Sequence, residues 1–145
     1  MTDNEMIAAA RLIARLAHDG QTDKAGQPYF GHPEAVAALL DTPAEKAVGY
    51  LHDTVEDTSV TVEELRSLFG DEIADTVALM THKKGVPYMD YVKEVGKNPL
   101  ARRVKMADLT HNMDIRRISD PREKDYARIE NKYKPAFAYL QSLGG

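Results

Sequence analysis

Cysteine and tryptophan are absent from the 145-residue chain. The lack of cysteine excludes disulfides, thiolate zinc sites and cysteine nucleophiles, so any metal must be held by imidazole nitrogen and by oxygen. No apolar run reaches the roughly 18 to 20 residues that a membrane-spanning helix needs. The N-terminus carries acidic residues first and arginines within an apolar periodicity, which is the wrong order for a secretory signal. We therefore expect a cytoplasmic protein with no membrane partner.

A broad excess of basic residues is also missing, because 19 lysines and arginines stand against 23 aspartates and glutamates. Residues 1 to 80 hold 5 basic and 15 acidic side chains, whereas residues 81 to 118 hold 9 and 4. Nucleic-acid binders usually show a basic excess, so no nucleic-acid partner is expected. This uneven distribution of charge suits an acidic metal-binding part that faces a basic part holding a small anion. The alternative is two helical faces that merely differ in charge. A homo-oligomer stays an open alternative.

Helical periodicity covers most of the chain, and no segment alternates convincingly like a strand. Apolar residues recur three and four positions apart in "MIAAARLIARLAH", and Gly20 ends that pattern. Capping boxes are predicted for Thr42 with Glu45 and for Thr61 with Glu64, and Pro43 occupies the first position of the helix after Thr42. The length suffices for one core. We predict a single all-α domain, a helical bundle over residues 1–145.

Two helix predictions bear on the candidate chemistry. The helix that starts after Thr42 is predicted to run through His52 and Asp53 to about Glu56. The last helix is predicted over residues 121–143. A kink is expected there at Pro135, because proline lacks the backbone N–H that a helix interior uses.

A histidine–aspartate pair followed by an acidic pair lies in "YLHDTVEDT", residues 50–58. On a helix, His52, Asp53, Glu56 and Asp57 would project from one side, because residues one, four and five apart are neighbours. Four such groups are costly to bury without a partner. A divalent cation would supply one, and imidazole with carboxylate suits Mn, Fe or Zn. The alternative is a charged helix end without function.

Two further segments could complete a metal site. His32 precedes Pro33 at a helix start, where a loop can direct its ring inward. Asp108 lies within an apolar run, and Lys105 and Asn112 share its helical face. Each residue also has a structural explanation: a capped histidine, a helix-end pair, a satisfied buried aspartate. Two nitrogen and two oxygen ligands would come from His32, His52, Asp53 and Asp108.

The segments "GQPYFGHPEAVA", "LHDTVEDT", "FGDEIA" and "VKMADLTHNM" occur in this order within roughly residues 10–118. They resemble the HD-domain metal-dependent phosphohydrolases, and within these the hydrolase domain of the RelA/SpoT-type alarmone enzymes and the stand-alone small alarmone hydrolases. The resemblance implies an HD-type helical bundle that uses Mn(II) to remove the 3′-pyrophosphate from guanosine tetra- or pentaphosphate.

The same resemblance implies roles for individual residues. The metal ligands would be His32, His52, Asp53 and Asp108. Glu56 and Asp57 would be the catalytic pair that orients and deprotonates the attacking water, and Asn112 would help to position the substrate. By contrast, His18, His82 and His111 have no supporting constellation in the sequence.

The substrate side of the site is less regular. Lys105 is the preferred cation for a phosphate because it shares a helical face with Asp108, and Lys24 offers a flexible charge in the first loop. Further candidates are Lys83, Lys84, Lys97, Arg102, Arg103 and Arg116. In the alarmone hydrolases an arginine in this loop stacks on guanine, in a run with serine and glutamate. Here Asp23, Ala25 and Gln27 stand at those three positions.

Other functions therefore stay open. A nucleotide phosphatase or pyrophosphatase of different base specificity is a neighbouring alternative. A metal-retaining, non-catalytic nucleotide-binding regulatory module belongs to another class, and the intact acidic pair argues against it. A purely structural helical domain would leave Asp108 and the motif order unexplained.

Overall fold

The computed structural model describes residues 1–144. Within them the chain forms α-helices joined by short turns, and the single isolated β-bridge pairs Thr22 with Pro28. This confirms the predicted all-α class. No helix in this range combines the length and apolar character of a bilayer crossing. The helices are α1 (Asp3–Ala17), α2 (Gly31–Ala38), α3 (Pro43–Leu51), α4 (Thr54–Asp57), α5 (Val62–Phe69), α6 (Asp71–Met80), α7 (Tyr88–Gly96), α8 (Pro99–Asn112), α9 (Glu123–Arg128) and α10 (Lys134–Ser142).

Helix α3 lies at the centre of the bundle and packs against α1, α2, α6 and α8. Its apolar positions Val48 and Leu51 are fully buried, as are Val104 and Leu109 on α8. Burying these aliphatic side chains supplies the main stabilising free energy of the fold. The central packing also brings the ends of α2, α3 and α8 together.

Polar side chains cap the starts of α3, α5 and α8. The two predicted capping boxes form: Thr42 accepts a hydrogen bond from the Glu45 backbone N–H at 3.2 Å, and Thr61 accepts one from Glu64 at 3.1 Å. Asn98 accepts from the N–H of the third residue of α8 at 3.0 Å. Each cap satisfies backbone donors that have no partner inside the helix.

Helix α3 ends at Leu51, so the prediction that it continues through Asp53 to about Glu56 was wrong. His52 Nδ1 donates to the Gly49 carbonyl at 2.7 Å, and the Thr54 hydroxyl donates to the Leu51 carbonyl at 2.7 Å. These side chains take carbonyls that a continuous helix would bond to residues four positions on. The chain therefore turns at His52 and Asp53 before α4 begins.

Helices α2 and α3 approach closely at Gly49. A Cβ atom there would lie 3.0 Å from Leu40 Cδ1 and 3.2 Å from the Ala37 Cα. Only glycine leaves room for this contact without a shift of the neighbouring backbone. The approach fixes His32, on α2, relative to His52 at the end of α3.

The C-terminal stretch is helical but not uniform. Residues Ile129–Tyr133, between α9 and α10, form a π-helical segment. Pro135 follows it; its nitrogen has no hydrogen to donate to the Asn131 carbonyl, and its ring would crowd that oxygen in an α-turn. A π-turn relieves this conflict, so the irregularity expected at Pro135 lies in the turn before it.

Candidate metal site and cleft

Four side chains from three elements converge below the turn at His52. His32 Nε2 lies 2.8 Å from Asp108 Oδ1 and 3.8 Å from Asp53 Oδ2. His52 Nε2 lies 3.0 Å from Asp53 Oδ2 and 3.4 Å from Asp108 Oδ1. The two imidazoles and Asp108 are buried, and Asp53 is partly exposed toward the cleft. The structure thus brings together the four residues expected to be ligands.

The donor set fits a divalent cation. His52 Nε2 is buried and makes no hydrogen bond, although it lies between two carboxylate oxygens. A buried polar atom without a hydrogen bond is costly, and a cation between these oxygens and nitrogens would satisfy it. Two neutral imidazoles and two carboxylates, with no thiolate, are compatible with Mn, Fe or Zn.

Groups behind the cluster hold the rings and carboxylates in place. His52 is oriented by its Nδ1–H bond to Gly49, described above. His32 Nδ1 lies 2.8 Å from His111 Nδ1, and the two rings stack with centroids 5.0 Å apart. The Tyr29 hydroxyl donates to Asp53 Oδ2. Such outer contacts orient metal ligands and fix histidine tautomers.

Asp108 is the most firmly engaged carboxylate of the cluster. Lys105 Nζ donates to its Oδ2 at 2.8 Å, and Asn112 Nδ2 donates to its Oδ1 at 3.1 Å. Burial alone would raise the pKa of Asp108, but the charge of Lys105, the hydrogen bond from His32 and the nearby His52 ring hold it well below its usual value. Asp108 is therefore ionised and available to a cation.

The acidic pair on α4 lies exposed at the edge of the cluster. Glu56 Oε1 accepts a hydrogen bond from the His82 backbone N–H at 2.6 Å. Asp57 has no hydrogen-bond donor to its carboxylate among residues 1–144. Burial, and then the negative charges of Asp53 and Glu56, raise the pKa of Asp57 to about 6. Asp57 is thus the uncommitted carboxylate of the pair and the better proton acceptor near neutral pH.

The cluster lines a cleft of about 400 Å³. Basic side chains line the same cleft and come mainly from the segment after α8 and from the C-terminal helices. The rings of Tyr88, Tyr91 and Tyr133 line it as well. We call one set of cations the basic wall; it consists of Lys24, Arg117, Arg128 and Lys132. One cleft therefore contains both an acidic, histidine-containing cluster and a basic wall.

The predicted substrate-binding residues Lys24, Lys105 and Asn112 all line this cleft. The other predicted cations do not; three of them instead form ion pairs elsewhere, for example Arg103 Nε with Glu45 Oε2 at 2.6 Å. This group comprises Lys83, Lys84, Lys97, Arg102, Arg103 and Arg116. Charge counts along a sequence do not show which way a side chain points. Only the helical spacing of Lys105 and Asn112 to Asp108 therefore identified cleft residues.

Sequence reasoning missed several residues of the site, namely Tyr29, His111, Arg117, Arg128 and Lys132. His111 lies three positions from Asp108, a spacing that places both on one helical face and could have identified it. Tyr29 stands in the loop before His32 without a recognisable spacing to Asp53. Arg117 and Arg128 reach the cleft through tertiary packing, and Lys132 lies in a π-helical segment whose phase an α-helical pattern does not reproduce.

Asp23 has a structural function in the loop before α2. Its Oδ1 accepts hydrogen bonds from the backbone N–H groups of Ala25 and Gln27, at 2.9 and 3.0 Å. Its Oδ2 lies 3.7 Å from Arg117 Nη2. An aspartate that bonds backbone N–H groups two and four positions on builds a tight turn. Asp23 thus shapes the loop and joins it to the basic wall.

Comparison with known proteins shows the family to which the chain is related. The family described as "HD domain" matches residues 9–140. The chain is 33% identical to a GTP pyrophosphokinase of Myxococcus xanthus over 99% of its length. It is 35% identical to a guanosine-3′,5′-bis(diphosphate) 3′-pyrophosphohydrolase of Escherichia coli over 72% of its length. The chain spans only 21% and 17% of these relatives.

A solved structure shares the fold. It is described as a metazoan ortholog of SpoT that hydrolyzes ppGpp, and it matches with a TM-score of 0.79 at 20% sequence identity. The match covers 97% of this chain and 88% of the other. The helical bundle is therefore common to both proteins.

Proposed function

The chain belongs to the HD domain family, and from that premise we propose that it is a metal-dependent phosphohydrolase that removes the 3′-pyrophosphate from guanosine tetra- or pentaphosphate. The observation that carries the proposal is the convergence of two imidazoles and two carboxylates beside an uncommitted acidic side chain, in a cleft with a basic wall. The relative from Escherichia coli is named for this reaction. The helices would form one HD domain.

In this proposal His32, His52, Asp53 and Asp108 hold a divalent cation, Mn(II) being our choice. A bound cation of this kind lowers the pKa of a water molecule and neutralises charge on a phosphoryl oxygen. The protein holds the ligand atoms in place through His111, Gly49 and Lys105. Preorganised ligands bind a cation without a large rearrangement of the chain.

We assign different roles to the two carboxylates of the acidic pair. Asp57 accepts the proton of the attacking water, because its carboxylate is exposed to the cleft and carries no hydrogen bond. Glu56 is tied to the His82 backbone, so it positions Asp57 and the water rather than taking the proton. This assignment predicts unequal effects of removing the two carboxylates.

The substrate side uses the cleft cations. Lys105 can donate to a phosphate while it bonds Asp108, because an ammonium carries three donors. Asn112 donates a hydrogen bond to Asp108 and accepts one from Arg117 Nη1 at 3.3 Å. It therefore connects the cluster to the basic wall. Lys24 reaches the cleft from the loop that Asp23 shapes.

The test is incubation of the purified protein with guanosine tetraphosphate and Mn(II), with a chelator in a parallel sample and separation of the products. We expect metal-dependent formation of guanosine diphosphate and pyrophosphate. Asp108→Ala should lose metal and activity, whereas Asp75→Asn, which changes an exposed carboxylate paired with Arg66, should retain both. Absence of products from a metal-loaded sample would contradict the substrate assignment.

A second candidate is hydrolysis of a nucleotide with another base. It is favoured by one observation: Asp23, which builds the loop, stands where the alarmone hydrolases carry an arginine that stacks on guanine. The same assay with adenosine and pyrimidine nucleotides distinguishes the two candidates. Faster turnover of a non-guanine substrate would support the second.

A further inference from the structure

The basic wall of the cleft carries more positive charge than its own carboxylates neutralise. Arg117 lies 3.7 Å from Asp23, and Arg128 lies 3.4 Å from Asp125. Lys24 and Lys132 form no ion pair within the part of the chain that the structure describes. Two ammonium groups therefore face the cleft without a counter-charge.

These charges are close enough to repel one another. The pKa of Lys24 is lowered, first by partial burial and then by Arg128 and Lys132. The pKa of Lys132 is lowered in the same way, first by partial burial and then by Lys105 and Arg128. Like charges that perturb one another at a cleft wall are relieved by a bound anion.

The π-helical segment directs Lys132 into the cleft. Lys132 Nζ lies 4.6 Å from the centroid of the Tyr88 ring, and Lys105 Nζ lies 5.7 Å from the same ring. The aromatic face holds the ammonium at the cleft instead of leaving it to solvent. Segments of π-helix occur frequently at functional sites. The local geometry thus keeps Lys132 in position for a ligand.

A second depression continues the basic wall. It has a volume of about 320 Å³ and shares Lys24 and Arg128 with the cleft. Arg122 and Lys124 line its far side. The positive surface therefore extends beyond the space needed for one phosphate.

We propose that Lys24, Arg128 and Lys132 form a second phosphate subsite, distinct from the histidine–aspartate cluster, which holds the phosphates that are not cleaved. For guanosine tetraphosphate this is the 5′-diphosphate. The inference rests on the proposed function, because it assigns the two phosphorylated ends of one substrate to two different sets of residues in one cleft. At the histidine–aspartate cluster a phosphate would be held by a divalent cation and Lys105, whereas the basic wall attracts a phosphate directly.

The first experiment compares guanosine tetraphosphate with guanosine 3′-diphosphate, which lacks the 5′ phosphates. In Lys132→Gln and Lys24→Gln we expect KM for guanosine tetraphosphate to rise about 10-fold, as for loss of a hydrogen bond to a charged group. KM for guanosine 3′-diphosphate should rise much less in Lys132→Gln, because that substrate has no 5′ phosphate for Lys132 to bind. Lys132→Arg should recover most of the affinity.

Lys134→Gln is the matched control, because Lys134 lies in the next turn and pairs with Glu130. An equal rise in KM for both substrates in Lys132→Gln would show that Lys132 does not recognise the 5′ end. A rise in Lys134→Gln as large as in Lys132→Gln would show a general charge effect. Either result overturns the subsite.

A second measurement separates the inference from the proposed reaction. Guanosine 5′-diphosphate is titrated into the Mn(II)-loaded protein, with guanosine as the uncharged probe. We expect salt-dependent binding of the diphosphate that weakens about 10-fold in Lys132→Gln. If guanosine tetraphosphate is not hydrolysed, the proposed function fails, and this titration alone then tests whether the second phosphate subsite exists. Unchanged diphosphate affinity in Lys132→Gln would overturn the subsite.

Discussion

His111 Nδ1 lies 2.8 Å from His32 Nδ1, while Nε2 of the same His32 ring lies 2.8 Å from Asp108 Oδ1. One hydrogen is shared between the two Nδ1 atoms. If His32 Nε2 binds a cation, its Nδ1 must carry that hydrogen and donate it to His111. Burial, followed by the charges of Arg117 and His32, lowers the pKa of His111 to about 4, which keeps His111 a neutral acceptor.

His111→Ala should therefore lower metal affinity about 10- to 100-fold, as loss of a partner behind a metal ligand commonly does. His111→Asn retains an acceptor atom at the matching distance from the backbone and should recover much of the loss. Competition with a chromogenic chelator measures both variants. Wild-type affinity in His111→Ala would show that His111 does not orient His32.

Asp57→Asn should keep the metal and reduce turnover about 100-fold or more, the usual scale for a general base. Glu56→Gln should cost less, because Glu56 acts through its backbone bond. Metal content and kcat are measured on the same samples. Equal losses in the two variants would remove the distinction between base and positioning residue.

The pH profile tests the same carboxylate. The pKa of Asp57 is raised to about 6, so the ionised form declines as pH falls through that value. A divalent cation bound nearby would act in the opposite direction and lower this pKa. In the wild type, kcat/KM should thus show an acid limb with a midpoint at or below about 6. A midpoint above about 7, or the same limb in the residual activity of Asp57→Asn, would assign the limb to another group.

Replacing Asp23 by arginine, which the family pattern suggests as a gain of base stacking, should lower turnover. The substitution removes the acceptor for two backbone N–H groups and places a cation beside Arg117. Asp23→Asn keeps the acceptor oxygen and should be milder. Steady-state kinetics and amide exchange of residues 21–30 compare the two variants. Higher activity in Asp23→Arg would show that base stacking outweighs loop geometry.

Parts of this structure follow from sequence alone, and the reasons are local. The boxes at Thr42 and Thr61 are predictable because their hydrogen bonds span three residues. The break after Leu51 is not, since it depends on side chains of His52 and Thr54 competing for backbone carbonyls.

The candidate site divides in the same way. The four candidate ligands follow from the order of the motifs and the family resemblance, and helical spacing brings Lys105, Asp108 and Asn112 to one face. The basic wall does not follow from the sequence, because Arg128 reaches the cleft through tertiary packing and Lys132 through tertiary packing and a change of helical phase. Distant charges cannot be assigned to a surface without that geometry.

Glu45 links stability to pH. Burial raises its pKa, but backbone N–H groups of Asp41 and Thr42 and the Arg103 guanidinium outweigh burial and lower it. A lowered native pKa means that ionised Glu45 stabilises the fold above its ordinary pKa of about 4.5, and that this contribution disappears as pH falls through the lower native value.

Glu45→Gln should accordingly reduce the free energy of unfolding by about 1–2 kcal/mol near pH 7. The difference from wild type should close below about pH 4. Urea denaturation at several pH values measures it. Glu5→Gln, in the exposed box of α1 without an arginine partner, should show a smaller loss. A difference that is constant across pH would mean that ionisation of Glu45 does not contribute.

Gly49→Ala should destabilise the protein by about 1–2 kcal/mol, because overlap with the α2 backbone exceeds the gain in helix propensity. It should also weaken metal binding, since α2 carries His32. Gly31→Ala is the control, because a Cβ atom there meets nothing within 4 Å. Thermal unfolding and metal titration give both readouts. Weaker metal binding without a change in stability would show that the packing of α2 against α3 does not cause the effect on metal binding.

The number of residues in the π-helical segment fixes the orientation of α10 relative to α9. Asp125 and Arg128, before it, serve the cleft, whereas Ala136 and Leu140, after it, are fully or almost fully enclosed in the core. Deleting one residue from Ile129–Tyr133 would turn α10 by about 100° relative to α9. Leu140 would then leave the core, or Arg128 the cleft. Substitutions within the segment therefore preserve both contacts, whereas loss or gain of one residue does not.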